Sequence, residues 1–347
     1  MGHISLLDCT LRDGGYINDW HFGYEAMLDI TTKITQTKVD VVEIGFIRDE
    51  ETTTERAVFN SMGQAQNIAK LVKQHSNDTV QTAVMAEISN PISLDKVETA
   101  DKNNIDIVRV IVWKSRRNSA GQFVDALQDS YEYCKGFVEK GYKLCVQPNR
   151  TNQYSASEFA DLLKMFARLS PMAIYVVDSW GTMYADEVIG YMEIADKILP
   201  SNIAIGFHGH NNMQQAFSNA ERVVAHKFNR DVIIDASVYG IGRGAGNLPL
   251  ELMARYLNQK SDGNYDILPM LEIYDRYIRP LREQYAWGSS MPFFLSADAD
   301  ANPNYAAYFD GKISSPDIRR AFAQMSAEER LIFARGNAEK FCSLSVR

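Results

Sequence analysis

No apolar run in this chain approaches the ~18 residues that a membrane-spanning helix needs, and the N-terminus lacks the basic stretch followed by an apolar one that marks a secretory signal. Both absences point to a cytoplasmic protein with no membrane partner. Cysteine is scarce. Cys9, Cys134, Cys145 and Cys342 stand far apart with no CxxC pair, which excludes a zinc finger, a redox dithiol and a disulfide scaffold and leaves buried thiols. Dense Lys/Arg blocks are missing as well. With 36 basic against 44 acidic residues the formal charge is −8, so there is no electrostatic footprint for nucleic acid, and a small-molecule substrate is the simpler expectation.

What is present reads as a folded enzyme-sized chain. Its 347 residues, 46% hydrophobic and 23% charged, leave room for one barrel domain of roughly 250 residues plus an appendage. Eight short Val/Ile-rich runs recur at 3–8, 39–46, 80–86, 106–112, 143–147, 173–177, 203–207 and 232–238. They are continuous rather than alternating, as in strands covered on both faces. Segments with helical spacing lie between them at 24–37, 55–73, 123–140, 156–169, 184–199 and 213–227. Alternation of this kind predicts a (β/α)₈ TIM barrel, with a doubly wound open sheet as the alternative because alternation alone does not show closure. We expect the barrel domain over 1–262. Beyond it, Leu268, Leu271, Tyr274 and Ile278 fall near one helical face, and Ser326 with Glu329 forms a capping box, so 263–347 is expected to be a helical C-terminal extension.

In a barrel the strand C-terminal ends form the active face. Charge and polarity gather there: Arg12 and Asp13 after the first run, Glu43 and Arg48 at the second, Gln147 and Asn149 at the fifth. Asp178 and Ser179 follow the sixth, His208 and His210 the seventh, and Arg243 and Asn247 the eighth. Two residues apart at a strand end, His208 and His210 project to the same side and can share one ion, and a carboxylate from Asp13 or Asp178 would complete a two-histidine, one-carboxylate site. The glycines of "GIGRGAGN" do not have dinucleotide spacing. They let backbone pass close to an ion while Asn247 turns its amide carbonyl inward. Blander roles compete: Asp8 hydrogen-bonding turn amides, Glu43 pairing with Arg12, Ser179 or Thr182 capping a helix.

Together, "LLDCTLRDGG", "VEIGF", "VVDSWG", "HGHNN" and "GRGAGN" resemble, in order, the motifs of the family of 3-hydroxy-3-methylglutaryl-CoA lyase, isopropylmalate synthase and 4-hydroxy-2-oxovalerate aldolase. The likeness spans roughly residues 4–250 and is nearest to the aldolases. It implies a TIM barrel holding Mg²⁺ or Mn²⁺ on Asp13, His208 and His210, with Asn247 at or near the ion. Arg12 would meet the keto or enolate oxygen of a small 2-oxo acid, Glu43 would position Arg12, and Ser179 would lie beside the substrate, with Gln147 a further substrate contact. The implied reaction is cleavage of a 4-hydroxy-2-oxo acid to pyruvate and an aldehyde, the ion acting as Lewis acid. An acyl-CoA condensing enzyme, or a catalytically silent barrel serving as a scaffold, is the alternative.

The sequence departs from the aldolases at the base. Where they carry a histidine four residues after the arginine, Tyr16 stands here, and His21 or an ion-bound water is the replacement. The resemblance also raises a homodimer and an aldehyde dehydrogenase docked on the C-terminal extension, where Tyr285, Tyr305 and Tyr308 are candidate lid residues.

Overall fold

The computed structural model describes residues 2–117 and 122–345. Eight parallel strands, which we number β1 (Ile4–Asp8), β2 (Val41–Ile47), β3 (Gln81–Glu87), β4 (Ile107–Val112), β5 (Lys143–Pro148), β6 (Ala173–Asp178), β7 (Ala204–Gly209) and β8 (Val232–Ala236), follow one another around a cylinder. The register of β1 on β8 runs from Ile4↔Val232 to Asp8↔Ala236, and Leu7↔Val41 with Asp8↔Val42 joins β1 to β2. That double pairing of β1 closes the sheet and removes the open-sheet alternative.

Helices cover the outside as Tyr24–Gln36, Met62–Ser76, Leu127–Glu139, Ala156–Ala167, Ala185–Ile198, Ala216–His226 and Leu250–Lys260. Between β3 and β4 the described chain makes only two 3₁₀ turns, Leu94–Lys96 and Ala100–Lys102. Two of the helices that start later than the periodicity suggested do so because a strand intervenes. Residues 55–61 instead run past the end of β2, pairing Val58–Phe59 with it, and the helix begins at Met62, where the Ser61 hydroxyl accepts the Gln64 N–H at 3.3 Å. Phe123–Asp125 likewise pairs with Ser115–Arg117 as a small antiparallel ribbon ahead of Leu127. In both places apolar residues that fit a helical face are used by strand pairing, which periodicity over a short window does not distinguish.

The interior of the cylinder is layered by the two-residue period of a strand. Val41, Ile107 and Ile233 contribute to an apolar layer with Leu7, Cys145 and Tyr175, and two residues further along the same strands stand Glu43, Arg109 and Asp235, all buried. Gly206 on β7 makes room for the Tyr175 ring, because a Cβ there would lie 2.3 Å from it. The ring in turn sits 4.9 Å below the Arg109 guanidinium. All four cysteines are free thiols.

The C-terminal part is helical, with its apolar face turned differently from the expectation. Leu268 and Leu271 are exposed at 62% and 49%, while Met270, Ile273 and Ile278 are buried against the barrel's helices. Met270 and Ile273, three apart on the Leu268–Ile273 helix, form the docked face, and a π-helical turn at Tyr274–Ile278 then precedes Pro280, whose ring cannot donate to the helix ladder. Further on, Leu295, Tyr305, Phe309, Phe322 and Phe341 gather into a separate small core. Ser326 and Glu329 form the expected capping box. No described helix is long and apolar enough to cross a membrane.

Candidate active site

The loop after β1 turns at once into a single helical turn, Thr10–Asp13, and every side chain of that turn is buried. Charge at this strand end is therefore paired rather than solvated. Arg12 Nε donates to Glu43 Oε2 at 2.7 Å, and Arg109 Nη1 lies 2.8 Å from the same oxygen. Arg109 Nη2 closes on Asp235 Oδ2, which is 2.9 Å from His208 Nδ1. His208 Nε2 lies 3.2 Å from Asp13 Oδ2, and Asp13 Oδ1 returns to Arg12 Nη1 at 3.1 Å. The result is a closed ring of charged side chains drawn from the turn after β1 and from β2, β4, β7 and β8, buried throughout.

The ring sets the electrostatics. Burial alone would raise the Asp13 carboxyl, but Arg12 and the two histidines hold it well below the usual carboxylate range. Burial pushes the His208 imidazolium down, and the flanking Asp13 and Asp235 carboxylates more than reverse that, so it holds a proton above its ordinary range. His210 behaves oppositely: burial, with the His208 and Arg243 charges beside it, pushes it down to about 3 against the pull of Asp13. Its Nδ1 faces the Asp178 carbonyl at 3.1 Å, and since a carbonyl can only accept, Nδ1 carries the hydrogen. The lone pair of Nε2 is then turned toward Asp13 Oδ2, 3.6 Å away.

These atoms fit a divalent cation. Neither Asp13 oxygen accepts a well-aligned hydrogen bond, and Asn247 Oδ1 is buried without a partner while its Nδ2 donates to the Ile241 carbonyl at 3.0 Å. Asn247 is bridged through its backbone to His210. Gly242 leaves room for that carboxamide, since a Cβ would come within 2.3 Å of it. One carboxylate, two imidazoles and an amide oxygen suit a divalent cation, and the proton between His208 and Asp13 is what such an ion would displace. Cys9 also lies within 4.8 Å of the Asp13 and His208 ligand atoms. Its S–H points to the Ala236 carbonyl at 3.3 Å, and burial pushes the thiol well up. Asp178, weighed against Asp13 as the carboxylate ligand, is occupied: it accepts the Thr182 and Met183 N–H groups at 2.9 and 3.1 Å.

Arg12, Asp13, Tyr16, Gln147, Ser179, His208 and His210 line one cavity at the strand ends, joined by Asn149 and Arg243. Glu43 stands behind Arg12. Gln147 Nε2 is buried without an acceptor, whereas Ser179 accepts the Arg150 N–H at 2.8 Å and donates to Asn149 Oδ1 at 2.7 Å. Tyr16 packs edge-on against Trp20 at 4.7 Å, and burial raises its phenol to about 12. His21 is not brought in. Its side chain is half-exposed on the rim, 3.7 Å from Asp19 and outside the cavity wall. Tyr305 is not a lid residue either, being buried in the C-terminal core.

Sequence reasoning missed Arg109 and Asp235. Their signal was a single charge inside each of "IVRVIV" and "VIIDA", since a charge within a strand buried on both faces must meet another.

The HMGL-like family model matches residues 3–275. The chain belongs to the HMGL-like family. Among curated proteins it is 22% identical over 282 residues to a 4-hydroxy-2-oxovalerate aldolase of Pseudoalteromonas translucida, covering 81% of this chain and 77% of that one. It is 24% identical over 257 residues to an oxaloacetate decarboxylase of Mycobacterium tuberculosis, covering 74% and 70%. Among solved structures, the HMG-CoA lyase of Bacillus subtilis superposes on this HMGL-like chain with a TM-score of 0.62 at 15% identity, covering 81% and 93%, and supports the barrel fold.

Proposed function

We propose that this HMGL-like protein is a divalent-metal-dependent carbon–carbon lyase that cleaves a 4-hydroxy-2-oxo acid, resembling 4-hydroxy-2-oxovalerate, to pyruvate and an aldehyde. The observation that carries the reading is the charged ring, which fixes Arg12 beside the converging Asp13, His208 and His210 donors at the floor of one cavity. Asp13, His208, His210 and Asn247 would hold the ion, which supplies Lewis-acid polarisation of the 2-oxo group.

The chain's own residues do the rest. Cleavage moves the C4 hydroxyl proton to an acceptor, turns the O–H pair into the aldehyde carbonyl, and breaks C3–C4 with its electron pair left on the three-carbon fragment, which is then protonated to pyruvate. Arg12, held by Glu43 and Asp13 on two sides, presents a fixed donor where negative charge grows on the keto oxygen. Gln147, with its free Nε2, and Ser179 orient the 2-oxo acid end. Tyr16 overlooks the space where the C4 oxygen would lie. A phenol near 12 is a poor base at neutral pH but a matched donor to an alkoxide, so its part is to donate a hydrogen bond to that oxygen as the alkoxide forms, the C4 proton itself passing to solvent water.

The test is pyruvate release by metal-stripped protein from a panel of 4-hydroxy-2-oxo acids and oxaloacetate, with and without Mn²⁺ or Mg²⁺, with Arg12→Ala as control. Metal-dependent release that falls at least ~100-fold in the variant supports the reading, on the scale of losing one oxyanion donor. Release from oxaloacetate alone would make it a decarboxylase. Turnover only with an acyl-CoA, or tight ion binding without turnover, would move the assignment to a Claisen-type enzyme or a scaffold.

A further inference from the structure

The cavity does not end at Tyr16. Tyr16, Ile111, Asn149 and Arg243 are shared with a second chamber of about 310 Å³, walled by Trp113 and Trp180 and roofed by Asn302, Leu331 and Ile332 of the C-terminal helices. On the aldolase reading above, a 2-oxo acid end in the first chamber sends the other half of the substrate past Tyr16 into this one.

The second chamber is basic. Most of its cations are answered from outside by carboxylates: Lys114 by Glu158 at 2.8 Å, Arg116 by Asp129 at 2.7 Å, and Arg150 by Asp300 at 2.7 Å. Glu87, the acid in the wall, is taken by Arg48 at 2.7 Å. Arg243 differs. Among the described residues its guanidinium meets no carboxylate, Nη2 donates to the neutral Asn302 Oδ1 at 2.8 Å, and Nε is buried without an acceptor. Its backbone is not free to carry it elsewhere, because the loop is pinned by Gly246 N–H to the Arg243 carbonyl at 3.0 Å and by Ala245 N–H to Asn212 Oδ1 at 2.7 Å. Desolvating a guanidinium without an anion is costly, and a ligand that brings the anion recovers the cost.

We propose that Arg243 binds a carboxylate or phosphate on the aldehyde half of the substrate, so that the protein takes short anionic aldehydes in preference to neutral ones. A planar fork at the junction of the chambers suits either group. The chamber, bounded on one side by Asn302, Leu331 and Ile332, has room for the tail of a short aldehyde.

The experiment is condensation with pyruvate by the Mn²⁺-loaded full chain, comparing succinic semialdehyde and glycolaldehyde phosphate with propionaldehyde and butyraldehyde, for the wild type, Arg243→Gln and Arg243→Lys. The expected result is a wild-type preference for at least one anionic aldehyde of tens-fold in kcat/KM. That ratio should fall to near unity in Arg243→Gln, carried by KM, and recover in part in Arg243→Lys. Which aldehyde wins separates carboxylate from phosphate. No wild-type preference, or a ratio unchanged while both rates fall together, overturns the proposal and gives Arg243 to the 2-oxo acid end. Should no aldehyde react, the aldolase reading fails separately, and calorimetric titration with succinate and with inorganic phosphate decides the anion site. Binding at least 10-fold weaker in Arg243→Gln with Mn²⁺ affinity intact upholds it, and equal affinities sink it.

Discussion

Tyr16 and Asp8 stand close together in the chain and use burial in different ways. Tyr16 keeps its proton because burial raises the phenol to about 12, and its ring is already held by Trp20 and by Phe46 at 6.1 Å, so Tyr16→Phe removes the hydroxyl without emptying the site. Pyruvate release should fall ~10²–10³-fold, the usual worth of one donor to a developing oxyanion. Exchange of pyruvate methyl protons with deuterated water, which needs Arg12 and the ion but no C4 oxygen, should stay within a few-fold of wild type. Loss of both would place Tyr16 at the enolisation step instead. Asp8 takes the blander of its two roles, accepting the Thr10 N–H at 3.2 Å and the Thr10 hydroxyl, which itself accepts Val238 N–H at 2.9 Å. Burial raises Asp8 to about 7, against about 4 in an unfolded chain. The native state therefore binds the proton more tightly, and the stability it adds is fully present below pH about 4 and lost as pH rises to about 7. In Asp8→Asn the drop in urea midpoint between pH 4.5 and pH 7.5 should shrink, and an unchanged slope would refute this.

The strands show what sequence can and cannot disclose. All eight were legible because unbroken Val/Ile runs have few other uses, and Arg12, Asp13, His208 and His210 were legible because strand ends of a barrel converge. The ring that joins them was not, since Arg109 and Asp235 are far apart in sequence and each looks like one misplaced charge. Asn247 could be placed near the ion by its glycine-rich loop, yet the buried, unpartnered Oδ1 that suits it to a ligand is a tertiary fact. His21 was drawn toward the site by proximity in sequence, and the left-handed backbone at Asp19 (φ 52°) and Trp20 (φ 59°) carries the chain out to the rim before it. The ring also yields a prediction for the sheet. Arg109 bridges Glu43 on β2 and Asp235 on β8 across the barrel. Arg109→Met leaves Glu43 with Arg12 and Asp235 with His208 as their remaining partners, short of one buried positive charge, and should cost ~3–5 kcal/mol in denaturant unfolding. Arg109→Met with Glu43→Gln and Asp235→Asn should recover much of that, because the penalty lies in the orphaned charges, and a triple variant no better than the single one would show the loss to be packing.

At the scale of the whole molecule, the barrel makes the floor and walls of the cavity and the C-terminal helices make its roof. That division could not be read from sequence: Leu331 and Ile332 look like an ordinary helix end, and they reach the second chamber only because Tyr305 holds them. The Tyr305 hydroxyl shares its proton between the carbonyls of Glu329 at 2.9 Å and Ile332 at 3.0 Å and accepts the Ala334 N–H at 3.2 Å. Two clasps tie the same region to the barrel mouth, Arg150 to Asp300 and Arg243 to Asn302, and Asn302 N–H reaches the Arg330 carbonyl at 2.8 Å. Asp300 is 60% exposed and its ion pair contributes little, so the roof depends chiefly on the buried hydroxyl. Tyr305→Phe keeps the ring in its core and strands a donor and two acceptors, a loss of about 1–3 kcal/mol confined to the small C-terminal core. Amide exchange across 329–334 should quicken by ~10-fold for each ~1.4 kcal/mol lost, while β1–β8 exchange stays at wild-type rates. Function should divide the same way: Mn²⁺ affinity, which on the proposed reading Asp13 and the histidines set, stays unchanged, and KM for the aldehyde half rises several-fold in the condensation direction. Equal changes in ion affinity and aldehyde KM would mean that the two cores do not move independently, and that the roof and the ion site belong to one cooperative unit.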